Sequence, residues 1–216
     1  TDNAAQKASI DNLRAANIAT IIASGNDGYT SAISSPACIS TAISIGATTK
    51  QDAVSDYSNS APILSLLAPG SSIYSATPGT GYASWNGTSM ATPHVAGAWA
   101  VLKSAYPSKT VTELLQTLKV SGIPIIDQRN ALTKSRISIT NALAYLAGAT
   151  QTVTVIKTGN GTGTVVSYPE NISCGATCSA SFVTGSNLYL VAQPAEDAIF
   201  TGWSGGGCSG TGTCVV

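Results

Sequence analysis

The segment Gly87-Thr88-Ser89-Met90-Ala91-Thr92-Pro93-His94-Val95-Ala96-Gly97 constrains this chain more than any other, because it sets one serine between small residues at the head of a long apolar run. From Met90 to Leu102 nearly every side chain is apolar or small. That pattern predicts a helix from about Thr88 to Tyr106 that is buried on all sides rather than an amphipathic surface helix. Pro93 breaks a local rule within it, since it cannot donate a backbone hydrogen bond to the carbonyl of Ser89. Such violations concentrate where function overrides regularity. Ser89 is therefore a candidate nucleophile at a helix N-terminus, where backbone N–H groups can face a developing negative charge. The alternative is a simple Ser/Thr cap on a core helix.

The sequence up to about Leu146 alternates apolar strands with helical segments, which predicts an α/β architecture with a parallel sheet. Asp2 to Asn17 reads as a helix. Ile18 to Ser24 is a β-branched run expected to form a central parallel strand, with further strands at Ser40 to Ala47 and Ile63 to Ala68. Thr110 to Val120 and Thr140 to Leu146 read as helices. The first strand ends in Gly25-Asn26-Asp27-Gly28, and ligands in open α/β sheets bind beyond the carboxyl ends of the strands. Taken alone, Asn-Asp-Gly is only a turn signal.

A serine hydroxyl needs a base, normally a histidine held by a carboxylate. The chain has one histidine, His94. Five helical steps of about 100° put it roughly 140° around the axis from Ser89, so it is not the base. It is expected to be a packed, hydrogen-bonded core histidine. Residue order separates the hydrolase classes: the nucleophile elbow of α/β-hydrolases requires a later histidine, and residues 95 to 216 contain none.

The eleven residues from Gly87 to Gly97 resemble, almost letter for letter, the active-serine motif of the subtilisin-like serine proteases (peptidase S8), and Ala23-Ser24-Gly25-Asn26 resembles the oxyanion-hole motif of that family. The resemblance implies that Ser89 is the nucleophile and that the Asn26 carboxamide donates to the tetrahedral intermediate. It implies also that the backbone of Ala23, Ser24 and Gly25 lines one wall of the pocket for the substrate side chain preceding the cut. In this family Asp and His precede Ser, so the catalytic pair is expected upstream of Thr1 and the 216 residues alone are expected to be inactive. The function implied is endopeptidase hydrolysis of protein or peptide substrates, with no cofactor needed for the chemistry. Family members often bind calcium; Asp27, Asp52 and Asp56 are read as solvated loop carboxylates, leaving any structural calcium unassigned and no metal site expected. The competing class is a non-catalytic, secreted surface-binding or scaffold protein.

The texture changes near Ala147-Gly148-Ala149-Thr150, dividing the chain into a partial subtilisin-like domain over 1–148 and a small all-β, disulfide-containing module over 151–216. Short alternating runs at Thr152 to Lys157, Gly163 to Ser167, Ala180 to Val183 and Leu188 to Ala192 are separated by Gly, Asn and Pro turns. This module resembles the secreted bacterial repeat related to the internalin B-repeat, through Gly161-Thr162-Gly163-Thr164-Val165, Cys174-Gly175, Cys178 and Phe200-Thr201-Gly202-Trp203-Ser204-Gly205. Four of the five cysteines lie in it with spacings unlike paired zinc ligands, which favours disulfides and an oxidising, extracellular compartment. Cys174 with Cys178 and Cys208 with Cys214 are the easiest pairs, although four cysteines permit three connectivities; Cys38 is left over, its partner expected upstream. Trp203 is expected in the core, with a cell-surface or polysaccharide contact as the other reading. Equal numbers of basic and acidic residues, 10 each, give no reason to expect nucleic acid, and no apolar run is long enough to span a membrane.

Overall fold

The computed structural model describes residues 4–168, 171–175 and 178–216, which divide into two compact units, Thr1–Leu143 and Ala144–Val216. The first begins with helix α1 (Ala4–Ala15); Asp2 and Asn3, part of the expected helix, lie outside the described residues. Asn17 adopts φ 62° and the N–H of Ile18 donates to the Leu13 carbonyl at 2.8 Å, a left-handed closure that satisfies the last helical carbonyls. This exit consumes residues expected to be extended, so strand β1 covers only Ile21–Ala23.

Strands β2 (Ile43–Thr48) and β3 (Leu66–Pro69) follow in parallel with β1, in the register Ile21 opposite Ile43 and Ile45 opposite Leu66. Every residue of β2 is buried, as expected for a strand covered on both faces. Next come a hairpin of β4 (Ile73–Ala76) and β5 (Tyr82–Trp85), then helices α2 (Thr88–Ala105) and α3 (Val111–Ser121). A second hairpin, β6 (Ile123–Ile126) with β7 (Thr133–Arg136), and helix α4 (Ile139–Leu146) complete the run. The main sheet has the order β1-β2-β3-β7-β6, mixed because β6 turns back against β7. Pro124 is tolerated there because β6 is an edge strand.

Two expectations need correction. Among the described residues β1 lies at the edge of the sheet, not at its centre, because no described segment pairs with its outer side. Helix α2 is not buried all round: Thr88, Ala91, Val95, Ala98, Trp99 and Leu102 form one buried stripe against β1, β2 and β3, while Pro93, His94, Ala96, Gly97, Ala100 and Val101 are exposed. The sheet covers one face of the helix, and no described residue covers the other. Leu66, Leu67, Leu102, Leu114 and Leu118 are fully buried around that contact. Each contributes about 1.5–3 kcal/mol by leaving water.

The start of α3 is fixed by a capping box. Thr110 Oγ1 accepts from the Glu113 N–H at 3.2 Å, and Glu113 Oε2 accepts from the Thr110 N–H at 2.8 Å. The Thr110 backbone donor, helped by Lys109 at 2.9 Å, pulls the Glu113 pKa down from 4.5 to about 2. The folded form therefore holds the carboxylate more tightly, and this contribution is complete above pH 4.5 and lost as the pH falls toward 2. Amide exchange in the first turn of α3 should accelerate over that window relative to Glu113→Gln, whose neutral carboxamide keeps an acceptor and does not titrate. Parallel behaviour of the two proteins would mean that Glu113 titrates normally.

Beyond the end of α4, the described residues of the second unit are all-β. Strand β8 (Thr150–Thr154) pairs with β10 (Ser179–Val183), β9 (Gly163–Tyr168) and β14 (Cys214–Val215) flank β11 (Tyr189–Pro194), and β12 (Trp203–Gly205) pairs with β13 (Cys208–Gly210). All these pairings are antiparallel. Disulfides join Cys174 to Cys178 and Cys208 to Cys214, and Cys174 and Cys214 are buried with Val165, Ile172, Phe182, Leu188 and Leu190. Sulfur thus forms part of a core too small to be built from aliphatic side chains alone. Trp203 is half-buried against this cluster, edge-on to Phe200 at 4.9 Å, and its indole N–H donates to the Gly212 carbonyl at 2.6 Å. Cys38, in the first unit, is exposed and unpaired among the described residues. Within those residues no helix is long and apolar enough to cross a membrane.

Candidate active site

The turn after β1 and the N-terminus of α2 meet beyond the carboxyl ends of β1 to β3. Asn26 is exposed on that turn, and its Oδ1 accepts both the backbone N–H and the hydroxyl of Thr88, each at 2.9 Å. A backbone N–H can only donate, so the acceptor atom of the carboxamide is fixed and its NH₂ is the edge left available. Thr88 is wholly buried, and its Oγ1 also accepts from the Gly25 N–H at 3.3 Å. One threonine thereby ties two segments 62 residues apart.

Ser89 follows directly in the first turn of α2, exposed, and among the described residues neither its hydroxyl nor its N–H has a hydrogen-bond partner. The unbonded amide is inherent to a helix start, whose first N–H groups have no intrahelical acceptor. Ser89 and Asn26 line the same open cleft of about 590 Å³, together with Ser84, Trp85, Asn86, Gly87 and Met90. Among the described residues, the Asn26 carboxamide NH₂ and the Ser89 amide are unengaged donors on two residues that line this cleft.

The approach to the helix is held from below. Gly87 N–H and the Tyr57 hydroxyl both donate to the Gly70 carbonyl at 2.9 Å, and the Ser72 N–H donates to Asn86 Oδ1 at 2.6 Å. A Cβ at Gly70 would lie 2.6 Å from the Ala47 Cβ and 2.8 Å from the Gly87 carbonyl oxygen, so only glycine lets the end of β3 come this close to the serine loop.

The remaining residues singled out in the sequence fall less centrally. Ser24 is fully buried with its hydroxyl donating to the Asn59 carbonyl at 3.0 Å; Ala23 and Gly25 are half-buried, and none of the three is among the cleft-lining residues. His94 corrects another expectation: it is exposed rather than packed, because position 94 falls outside the buried stripe of α2. Its Nδ1 lies 2.8 Å from the Met90 carbonyl, which requires the proton on Nδ1. The helix is continuous through both residues, so the separation of about 140° from Ser89 holds. Asp52 is spent on Arg136 at 2.6 Å, and Asp27 accepts from Asn59 and Ser34. Among the described residues no three His, Cys, Asp or Glu side chains converge on a metal position.

Sequence reasoning missed Thr88 and Asn59. Thr88 stands next to Ser89 but its partner is distant in the chain. Asn59 lies in a polar run, Ser55 to Ser60, whose composition reads as a loop, yet it is fully buried.

A largely parallel sheet with an asparagine-bearing turn and a serine-headed helix at the carboxyl ends of its parallel strands defines the class of the first unit as α/β. The sequence pattern of the Subtilase family matches residues 1–122, and the chain belongs to that family. It is 37% identical over 155 residues to Subtilisin-like protease 7 of Arthroderma benhamiae, covering 70% of this chain and 31% of that protein. It is 43% identical over 102 residues to Subtilisin BL of Lederbergia lenta, covering 47% of this chain and 38% of that one. The chain thus spans about a third of the length of these curated relatives. A crystal structure of a cold-adapted subtilisin-like serine proteinase aligns with a TM-score of 0.57 at 31% identity, over 62% of this chain and 50% of the other.

Proposed function

We propose that these residues supply the nucleophile and the oxyanion donor of a secreted, subtilisin-like serine endopeptidase. The observation that carries the reading is the shared cleft, lined by both Ser89 and Asn26, whose carboxamide oxygen is held by Thr88. In the proposed reaction a histidine takes the Ser89 proton as Oγ attacks the scissile carbonyl, and the carbonyl oxygen, now negative, accepts from Asn26 Nδ2 and the Ser89 N–H. Collapse expels the amine, protonated by the same histidine, and leaves an ester on Ser89. Water activated by the histidine then hydrolyses that ester.

In this reading His94, about 140° around α2 from Ser89, is not the base, and the histidine and its orienting carboxylate are supplied by polypeptide outside these 216 residues. Ala23, Ser24 and Gly25, directly before Asn26, carry no charge, which is the ground for a broad or apolar preference. The disulfides of the β unit support an oxidising, extracellular setting, where that unit has an accessory role related to the internalin B-repeat.

A fluorophosphonate probe followed by peptide mapping tests the reading. The full-length gene product should be labelled on Ser89, and the 216-residue chain alone should not. Peptidase activity in a full-length product whose label maps to another residue would overturn it.

A further inference from the structure

We infer that Asn59 positions the Asn26 donor, holding the whole 24–29 turn in the conformation that the proposed chemistry needs; the inference rests on the reading of Asn26 above. Asn59 is fully buried beneath that turn. Its backbone N–H donates to the Gly25 carbonyl at 3.0 Å and its carbonyl accepts the Ser24 hydroxyl at 3.0 Å. Its Oδ1 accepts the N–H groups of Asp27 and Tyr29, both at 3.0 Å. Its Nδ2 faces the Ser24 carbonyl at 3.2 Å, Asp27 Oδ2 at 3.1 Å and Ser34 Oγ at 3.1 Å.

A carboxamide has two lone pairs and two protons, so no capacity is left over. Asn26 is thus gripped on both sides: the carbonyl before it and the amide after it both bond to Asn59, while its own side chain is left to Thr88 and the cleft. The fit is close as well as complete. A Cβ at Gly25, where φ is +104°, would lie 2.3 Å from Asn59 Nδ2.

Asn59 is itself anchored. The Arg129 guanidinium donates to the carbonyls of Asp56 at 2.6 Å and Ser58 at 2.9 Å while pairing with buried Asp127 at 2.7 Å. The chain running into Asn59 therefore has an anchor independent of the turn. Removing the carboxamide takes the acceptor from the Asp27 and Tyr29 amides and leaves the Ser24 carbonyl with the Ser34 N–H alone, and the turn must shift for the two amides to recover partners. A shift of about 1 Å at Asn26 carries its NH₂ away from the oxyanion position.

A double-mutant cycle in the full-length gene product tests this, with each variant assayed well below its own Tm. Asn59→Ala should lower kcat roughly 10- to 100-fold with KM changed less than about twofold. In an Asn26→Leu background the same substitution should cost at most about twofold, because the donor it positions is already gone. Equal losses in both backgrounds would make Asn59 a merely structural residue and overturn the inference. Should Asn59→Ala not fold, Asn59→Asp keeps the shape and both acceptor bonds but sets an oxygen in place of the donor against the Ser24 carbonyl and the Asp27 carboxylate; the repulsion should displace the turn and show the same coupling. A product labelled on Ser89 in which Asn26→Leu leaves kcat unchanged would instead remove the Asn26 reading, and this inference with it.

Discussion

Ser89→Ala in the full-length gene product should reduce kcat on a peptide substrate by on the order of 10⁶-fold, the size measured for nucleophile removal in subtilisin and carried over from that relative. The expectation follows from the position of the hydroxyl: it is the exposed, uncommitted oxygen at the head of α2, in the cleft that also holds Asn26. Alanine keeps the helix start, since the Thr88 N–H in the first turn donates to Asn26 Oδ1 and the Ser89 side chain caps nothing. Folding should therefore be unchanged, which thermal unfolding checks alongside the assay. A variant retaining more than about 1% of wild-type kcat would show that some other group forms the covalent bond.

Asn26→Leu should lower kcat by about 10²- to 10³-fold, or about 2.7–4 kcal/mol of transition-state stabilisation, the value known for the oxyanion donor of subtilisin. KM should hardly move, because the carboxamide meets full negative charge only once the carbonyl has become tetrahedral. Steady-state constants on a short peptide separate the two. Loss confined to KM would make Asn26 a ground-state contact, and unchanged kcat would return it to the role of a turn residue.

Much of this fold could be read before the structure, and the reasons differ element by element. The apolar runs ending at Ala47 and Ala68 are strands because a strand buried on both faces has few other ways to be written, and the β-branched run ending at Ser24 reads the same way although β1 is only half-buried. Their boundaries moved where helix exits intervened, as at Asn17 and Ile18. The hairpins β4–β5 and β6–β7 went unread, since four-residue strands flanked by glycine and proline carry too little periodicity to register. Helix α2 was legible in extent but not in burial. Small apolar residues permit close packing on any side, and only the neighbouring elements decide which side receives it.

Within the site, Ser89 and Asn26 stood out because their local sequences are unusual. Thr88 and Asn59 did not, because what they do is set by partners 25 to 63 residues away. Hydrogen-bond saturation of a buried carboxamide is a tertiary property. A polar run such as Ser55 to Ser60 looks the same in sequence whether it faces water or wraps beneath a turn.

The tie between Thr88 and Asn26 has a temporal consequence. Neither the turn after β1 nor the first turn of α2 can orient the carboxamide by itself, so a nascent or partly unfolded chain carries a serine but no arranged donor. The pair comes into register only when helix and sheet have docked. In a protein proposed to cut polypeptides, the donor would then be arranged only in chains in which this helix and this sheet have folded together.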